Sequence, residues 1–204
     1  CEPLLAEVYR AVLRAGGNPY VHLLSEQSAA DLLQLGSNEQ LGFANPISQH
    51  EIETIDVLIS TWGSLNTKAL SNADPAKQAR ASKARRPYMT TFMKRMAIPR
   101  GKKGHLHWIG TMYPNQASAQ DAEMSLREYE DFVYGAGLLD VKAPAAAWQA
   151  VSAKQEKVVK YLSKVSEVKF KTPQGTDLTV GVKNRTWVNC DGRVNFPDGE
   201  VFTG

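Results

Sequence analysis

Leu4, Leu5, Val8, Val12 and Ala15 recur at three- and four-residue intervals, the spacing of one helix face, and Gly16-Gly17 supplies a stop. The apolar run Pro19 to Leu24 (PYVHLL) predicts a short strand, after which Ser25 caps a second helix through Ala29, Leu32, Leu33 and Leu35 to Gly36. Beyond a loop around Asn45-Pro46, Ile55 to Thr61 (IDVLIST) is a nearly continuous β-branched run, the pattern of a strand buried on both faces of a parallel sheet. Asp74 to Ile98 reads as a long polar helix with Asp74 as its cap and Pro75 in its first turn, and Pro87 kinks or divides it. His105 to Gly110 predicts a third strand. Ser125 and Glu128 make a capping box for a helix carrying Leu126, Tyr129, Phe132 and Val133, which Gly135 and Gly137 end. Pro144 opens a further helix through Trp148, Val151, Gln155, Val158, Val159 and Leu162.

Strands separated by helices predict an α/β fold, with a parallel sheet and helices on both of its faces. Beyond about Ser163 helical periodicity gives way to short strands and turns. The expected division is therefore an N-terminal α/β domain over residues 1–163 and the first strands of a second domain over 164–204. In that second part Leu178, Val180 and Val182 alternate with Asp177, Thr179 and Gly181, the period of a half-buried strand. Asn184 and Arg185 then turn the chain. Trp187 and Val188 make a second apolar segment, and NCDG and NFPDG set two tight turns in which Asp-Gly pairs provide the backbone freedom of a sharp reversal.

Composition narrows the class without assigning a function. The 204 residues are 43% hydrophobic, enough for a core, and carry a net charge of +3 from 24 basic and 21 acidic side chains. That balance is too even for a nucleic-acid binder, and no aromatic residues interleave with the basic clusters Lys83, Arg85, Arg86 and Arg100, Lys102, Lys103. No run approaches the roughly 20 apolar residues of a membrane span, and no export signal is visible. Cys1 and Cys190 have neither metal-type nor redox spacing, so a reduced cytoplasmic protein is the simpler reading. The α/β layout comes without GxGxxG or GxxxxGK[ST], and a serine nucleophile motif is equally absent.

Among candidate groups, His105 and His107 alternate along a strand and face one side, but no carboxylate or thiol accompanies them in sequence, and ordinary strand histidines are the better reading. His22 and His50 receive no role. Glu200 stands between the NFPDG turn and an apolar strand, so its backbone is held on both sides, as a metal ligand or catalytic acid requires. Asp198 reads as the turn former of an Asp-Gly pair, with an outer role toward a metal as the alternative, and Asn195 and Asp191 carry the same ambiguity.

Three segments change the weight of these readings: GTDLTV at Gly175 to Val180, WVNCDGRVNFPDGEVFTG at Trp187 to Gly204, and WIGTMYPNQASAQDAEMSLREYEDFVYGAGLLD at Trp108 to Asp140. They resemble the metallo-aminopeptidases of the aminopeptidase T, aminopeptidase S and PepS group, over nearly the whole chain and most specifically in NFPDGEVFT. The resemblance implies that Glu200 is a ligand of a dinuclear metal centre, that the remaining ligands and the catalytic groups lie beyond Gly204, and that a leading helix and strand precede Cys1. It further implies peptide substrates, two divalent ions (zinc, cobalt or manganese), a homodimer, and a chain that is inactive by itself. The alternative function is a non-catalytic α/β binding module for a protein partner or an anionic ligand.

Overall fold

The computed structural model describes residues 2–204, and Cys1 lies outside them. The chain forms two compact units, the first running to Glu130 and the second from Asp131 to Gly204. In the first, α1 (Glu2–Arg14), α2 (Glu26–Leu35), α3 (Asn38–Leu41) and α4 (Pro46–Thr54) precede strand β1 (Val57–Trp62). Helices α5 (Pro75–Ala84) and α6 (Arg86–Ala97) lead to β2 (His107–Met112), followed by α7 (Gln116–Asp121) and the start of α8 (Leu126–Ala136).

Local chemistry sets most of these boundaries. The Ser25 hydroxyl accepts from the Ser28 amide, Asn45 caps α4 ahead of Pro46, and Asp74 caps α5 ahead of Pro75. The predicted break at Pro87 is a full division: α5 ends at Ala84, and Pro87 sits in the first turn of α6, where its missing N–H costs nothing. Ser125 and Glu128 form the reciprocal box, with Glu128 accepting from the Ser125 amide at 2.8 Å and the Ser125 hydroxyl from the Glu128 amide at 3.3 Å.

Strands β1 and β2 pair in parallel, in register from Val57 with His107 to Trp62 with Met112, which gives the α/β class its parallel sheet. Under them Ile52 of α4, Phe92 of α6 and Leu106 form the buried centre, with Ile55, Leu58, Tyr88, Met96 and Trp108 packed around it. The Arg95 guanidinium ties this region together by donating to the carbonyls of Ile52 and Ile55, at 2.9 and 2.7 Å, and its Nε donates to that of Gly104. Gly110 lets the Trp62 ring lie across β2, because an added Cβ would meet that ring at 2.4 Å.

Two expectations for this unit are corrected. Pro19 to Leu24 forms no strand, and Tyr20, Leu23 and Leu24 are 69%, 76% and 85% exposed. An apolar run becomes a strand only where another edge takes up its N–H and C=O groups, and none among the described residues does so. Likewise β1 is not buried on both faces: Val57 and Ile59 are exposed, because the Ile52–Phe92–Leu106 cluster covers only the side from which Leu58 projects, and Trp62, on that same side at the end of the strand, is half-exposed.

The second unit holds the rest of α8, the long helix α9 (Pro144–Leu162), and strands β3 (Glu167–Lys171), β4 (Asp177–Gly181), β5 (Val188–Cys190), β6 (Asn195–Phe196) and β7 (Glu200–Phe202). The change of periodicity near Ser163 is where α9 ends, with Ser163 as its cap. Strands β3 and β4 pair antiparallel from Glu167 with Gly181 to Lys171 with Asp177, closed by a turn at Gly175 with φ +101°. The predicted half-buried face of β4 is a further correction. Val182 is buried, but Leu178 and Val180 are exposed, since within this unit the β3–β4 ribbon has no layer packed on that face. No helix among the described residues is long and apolar enough to cross a membrane.

Candidate metal centre

The two Asp-Gly turns read from the sequence fold the closing segment back on itself. Gly192 and Gly199 take φ of +84° and +124°, values that a side chain strongly disfavours, and the Phe196-Pro197 bond between them is cis. The Gly199 amide donates to the Cys190 carbonyl at 3.1 Å, and the Gly192 amide donates to the Asp198 carboxylate at 3.2 Å. Asp198 thus does act as a turn former. Beyond the turns β5 and β7 run antiparallel, with Val188 opposite Phe202, Asn189 opposite Val201 and Cys190 opposite Glu200.

This register assembles three donors that the sequence keeps apart. Ligand atoms of Cys190, Asp198 and Glu200 all lie within 4.8 Å of one another. Around one divalent ion with bonds of about 2.0–2.3 Å, tetrahedral donors stand roughly 3.5 Å apart, so small side-chain rotations would let these three converge. A set of two carboxylates and a thiol also suits zinc or cobalt, and its carboxylates suit manganese. The residues present therefore fit a divalent metal.

The electrostatics favour a cation as well. Asp191, Asp198 and Glu200 surround the Cys190 thiol, whose pKa is raised first by burial and then by these three carboxylates. Asp191 is already compensated. The Arg193 guanidinium chelates its carboxylate, the Ser152 hydroxyl donates to it at 2.6 Å, and its pKa falls to about 2, chiefly through the hydrogen bonds from Arg193 and against the opposing effect of burial. By contrast, the exposed Glu200 carboxylate has no hydrogen-bond or ion-pair partner among the described residues. Two carboxylates without a cationic partner among the described residues, one of them tied to a backbone amide, remain beside the thiol.

The sequence singled out Glu200 and weighed Asp198, and the structure brings the two together. Asp191 is committed to Ser152 and Arg193, and Asn195 lies exposed on β6. Cys190 escaped the sequence reading because strand register sets Glu200 opposite it and the turn brings Asp198 beside it, neither of which spacing motifs encode. The His105 and His107 rings do meet, edge to face at 4.4 Å. The His105 Nδ1 lies 2.6 Å from the Ile98 carbonyl, which can only accept, so Nδ1 carries the proton there and only Nε2 could serve as a ligand. Among the described residues no group of three potential ligands forms around that pair.

A family model described as thermophilic metalloprotease (M29) matches residues 1–204. Among solved structures, wild-type AmpT from Thermus thermophilus is similar to this chain with a TM-score of 0.70 and 24% sequence identity, over 96% of this chain and 51% of that one. The present chain thus spans about half the length of that protein. No curated protein matches. With the family model matched from the first residue to the last, the chain belongs to the thermophilic metalloprotease family M29.

Proposed function

We propose that this chain supplies Glu200 as a ligand of a two-metal centre in an aminopeptidase that releases N-terminal amino acids from peptides. The observation that carries the reading is the unpartnered Glu200 carboxylate, held on a paired strand beside Asp198 and Cys190. Membership of a metalloprotease family gives that carboxylate a cation to bind and favours catalysis over a non-catalytic binding module. When bound, divalent metals polarise a scissile carbonyl and lower the pKa of coordinated water. The residues on view contribute position and charge. Glu200 offers two oxygens, able to hold one ion or bridge two, and Asp198 keeps the turn that aims it. Two ions with about four ligands each need more donors than this cluster has, so the segment 164–204 opens a metal-binding domain that further residues complete. A cytoplasmic homodimer is the assembly and location supported by the resemblance carried by NFPDGEVFT.

The test uses the complete gene product, stripped of metal and reconstituted separately with zinc, cobalt and manganese, with metal content and hydrolysis of aminoacyl-anilide substrates both measured. Glu200→Gln is expected to lose bound metal and to lower the rate by more than about 100-fold. Unchanged stoichiometry and rate in that variant would sink the assignment.

A further inference from the structure

Helix α9 presents Trp148, Ser152 and Gln155 at successive steps of four and three residues, one face of a helix, and all three contact the segment from Asn189 to Glu200. The Trp148 ring lies against the turn glycines: a Cβ added at Gly192 would meet it at 3.4 Å and one at Gly199 at 4.0 Å. Its Nε1 is fixed by donation to the Gly137 carbonyl at 2.8 Å. One turn on, the Ser152 hydroxyl holds Asp191 at 2.6 Å, and the Ser152 carbonyl accepts from the Asn189 side-chain Nδ2 at 3.0 Å. Gln155 reaches the ladder itself. Its Nε2 donates to Asn189 Oδ1 at 2.8 Å, to the Cys190 carbonyl at 3.0 Å and to the Glu200 carbonyl at 2.8 Å.

Two of these acceptors are backbone carbonyls, which only accept, so the amide nitrogen must face them and the Gln155 orientation is fixed by chemistry. Two protons serve three acceptors, and one is shared. The place they serve is the end rung of a short ladder. Glu200 is the first residue of a three-residue strand, opposite the last residue of another, and terminal rungs of short ladders open most easily. One side chain thus clasps both strands at the rung from which the Glu200 carboxylate projects.

We infer that Gln155 is a positioning residue for the metal site: by bonding Cys190 and Glu200 together at that rung, it sets the direction of the Glu200 carboxylate before metal arrives. This role rests on Glu200 being a metal ligand. Groups that orient a ligand without touching the metal change affinity by about 10- to 100-fold when removed. Gln155→Met keeps the volume and loses both protons, and Gln155→Asn keeps the amide but falls one methylene short.

The experiment titrates Zn2+ and Co2+ into the metal-free complete gene product and records the Co2+ absorption spectrum, well below the unfolding temperature of each variant. Gln155→Met is expected to weaken binding about 10- to 100-fold and to alter the Co2+ spectrum while circular dichroism stays native. Should it not fold, Gln155→Asn is read the same way, with the same expectation. A residue that merely stabilises the fold would lower the unfolding temperature and leave affinity within about twofold and the spectrum unchanged, and that result overturns the inference. Glu200→Gln runs in parallel. If it abolishes binding while the Gln155 variants bind normally, the positioning role alone falls; if it too binds normally, the ligand assignment falls with it.

Discussion

Cys190 and Glu200 face each other as a Cα pair across the β5–β7 ladder. With Asp198 in the turn that joins them, they form a donor cluster whose members hold their backbones differently: two on paired strands, one bonded to a glycine amide.

That difference separates the two carboxylates. In Asp198→Asn the side-chain oxygen can still accept from the Gly192 amide, so the turn survives and only charge is lost. Metal affinity should fall by about 10-fold, less than in Glu200→Gln, with the unfolding temperature nearly unchanged. Asp198→Ala should lose both affinity and about 1 kcal/mol of stability, because the half-buried Gly192 amide loses its acceptor. Equal stability of the Asn and Ala variants would show that the turn does not depend on this bond.

Asp191 is a stability residue whose contribution depends on pH. Its folded pKa of about 2 lies below the ordinary carboxylate value, with hydrogen bonds from Arg193 as the leading cause. Folding therefore favours the charged form. The stabilisation is fully present above the unfolded pKa near 4 and is lost as pH falls from about 4 toward 2. The Arg193 side chain is 65% exposed, so screening limits the effect to about 1–2 kcal/mol. In the metal-free protein, Asp191→Asn should be less stable than the parent by a constant amount above about pH 5, and the gap should close in acid. Parallel curves down to pH 2 would contradict this.

Gly192 tests the turn from the backbone side. Its φ of +84° opposes a side chain, whereas the Trp148 ring, 3.4 Å from the position of an added Cβ, lies at contact distance and leaves room for a methyl group. Gly192→Ala should cost about 1–2 kcal/mol through left-handed strain, and metal affinity should fall because the Asp198 carboxylate loses the alignment of its amide partner. Thermal unfolding and zinc titration of the same sample measure both. A variant as stable as the parent would mean that the turn relaxes freely.

The amino-acid sequence by itself determined what short-range chemistry can decide. Ser25, Asp74 and the Ser125–Glu128 box cap helices through bonds spanning two or three residues, Pro87 divides a helix by removing one N–H, and Asp-Gly pairs mark the turns around Glu200. Each effect is complete within a few residues and so is legible locally. Tertiary structure decided whatever needs a distant partner. Pro19 to Leu24 has the composition of a strand but no edge to pair with, and Leu178 and Val180 alternate correctly yet face no covering layer. Cys190 became a candidate ligand only when antiparallel register set it opposite Glu200, and Gln155, an unremarked position of a helical pattern, acquired its three acceptors only when α9 lay against that rung. Hydrogen bonds between residues tens of positions apart depend on how the chain packs, and local periodicity carries no record of it.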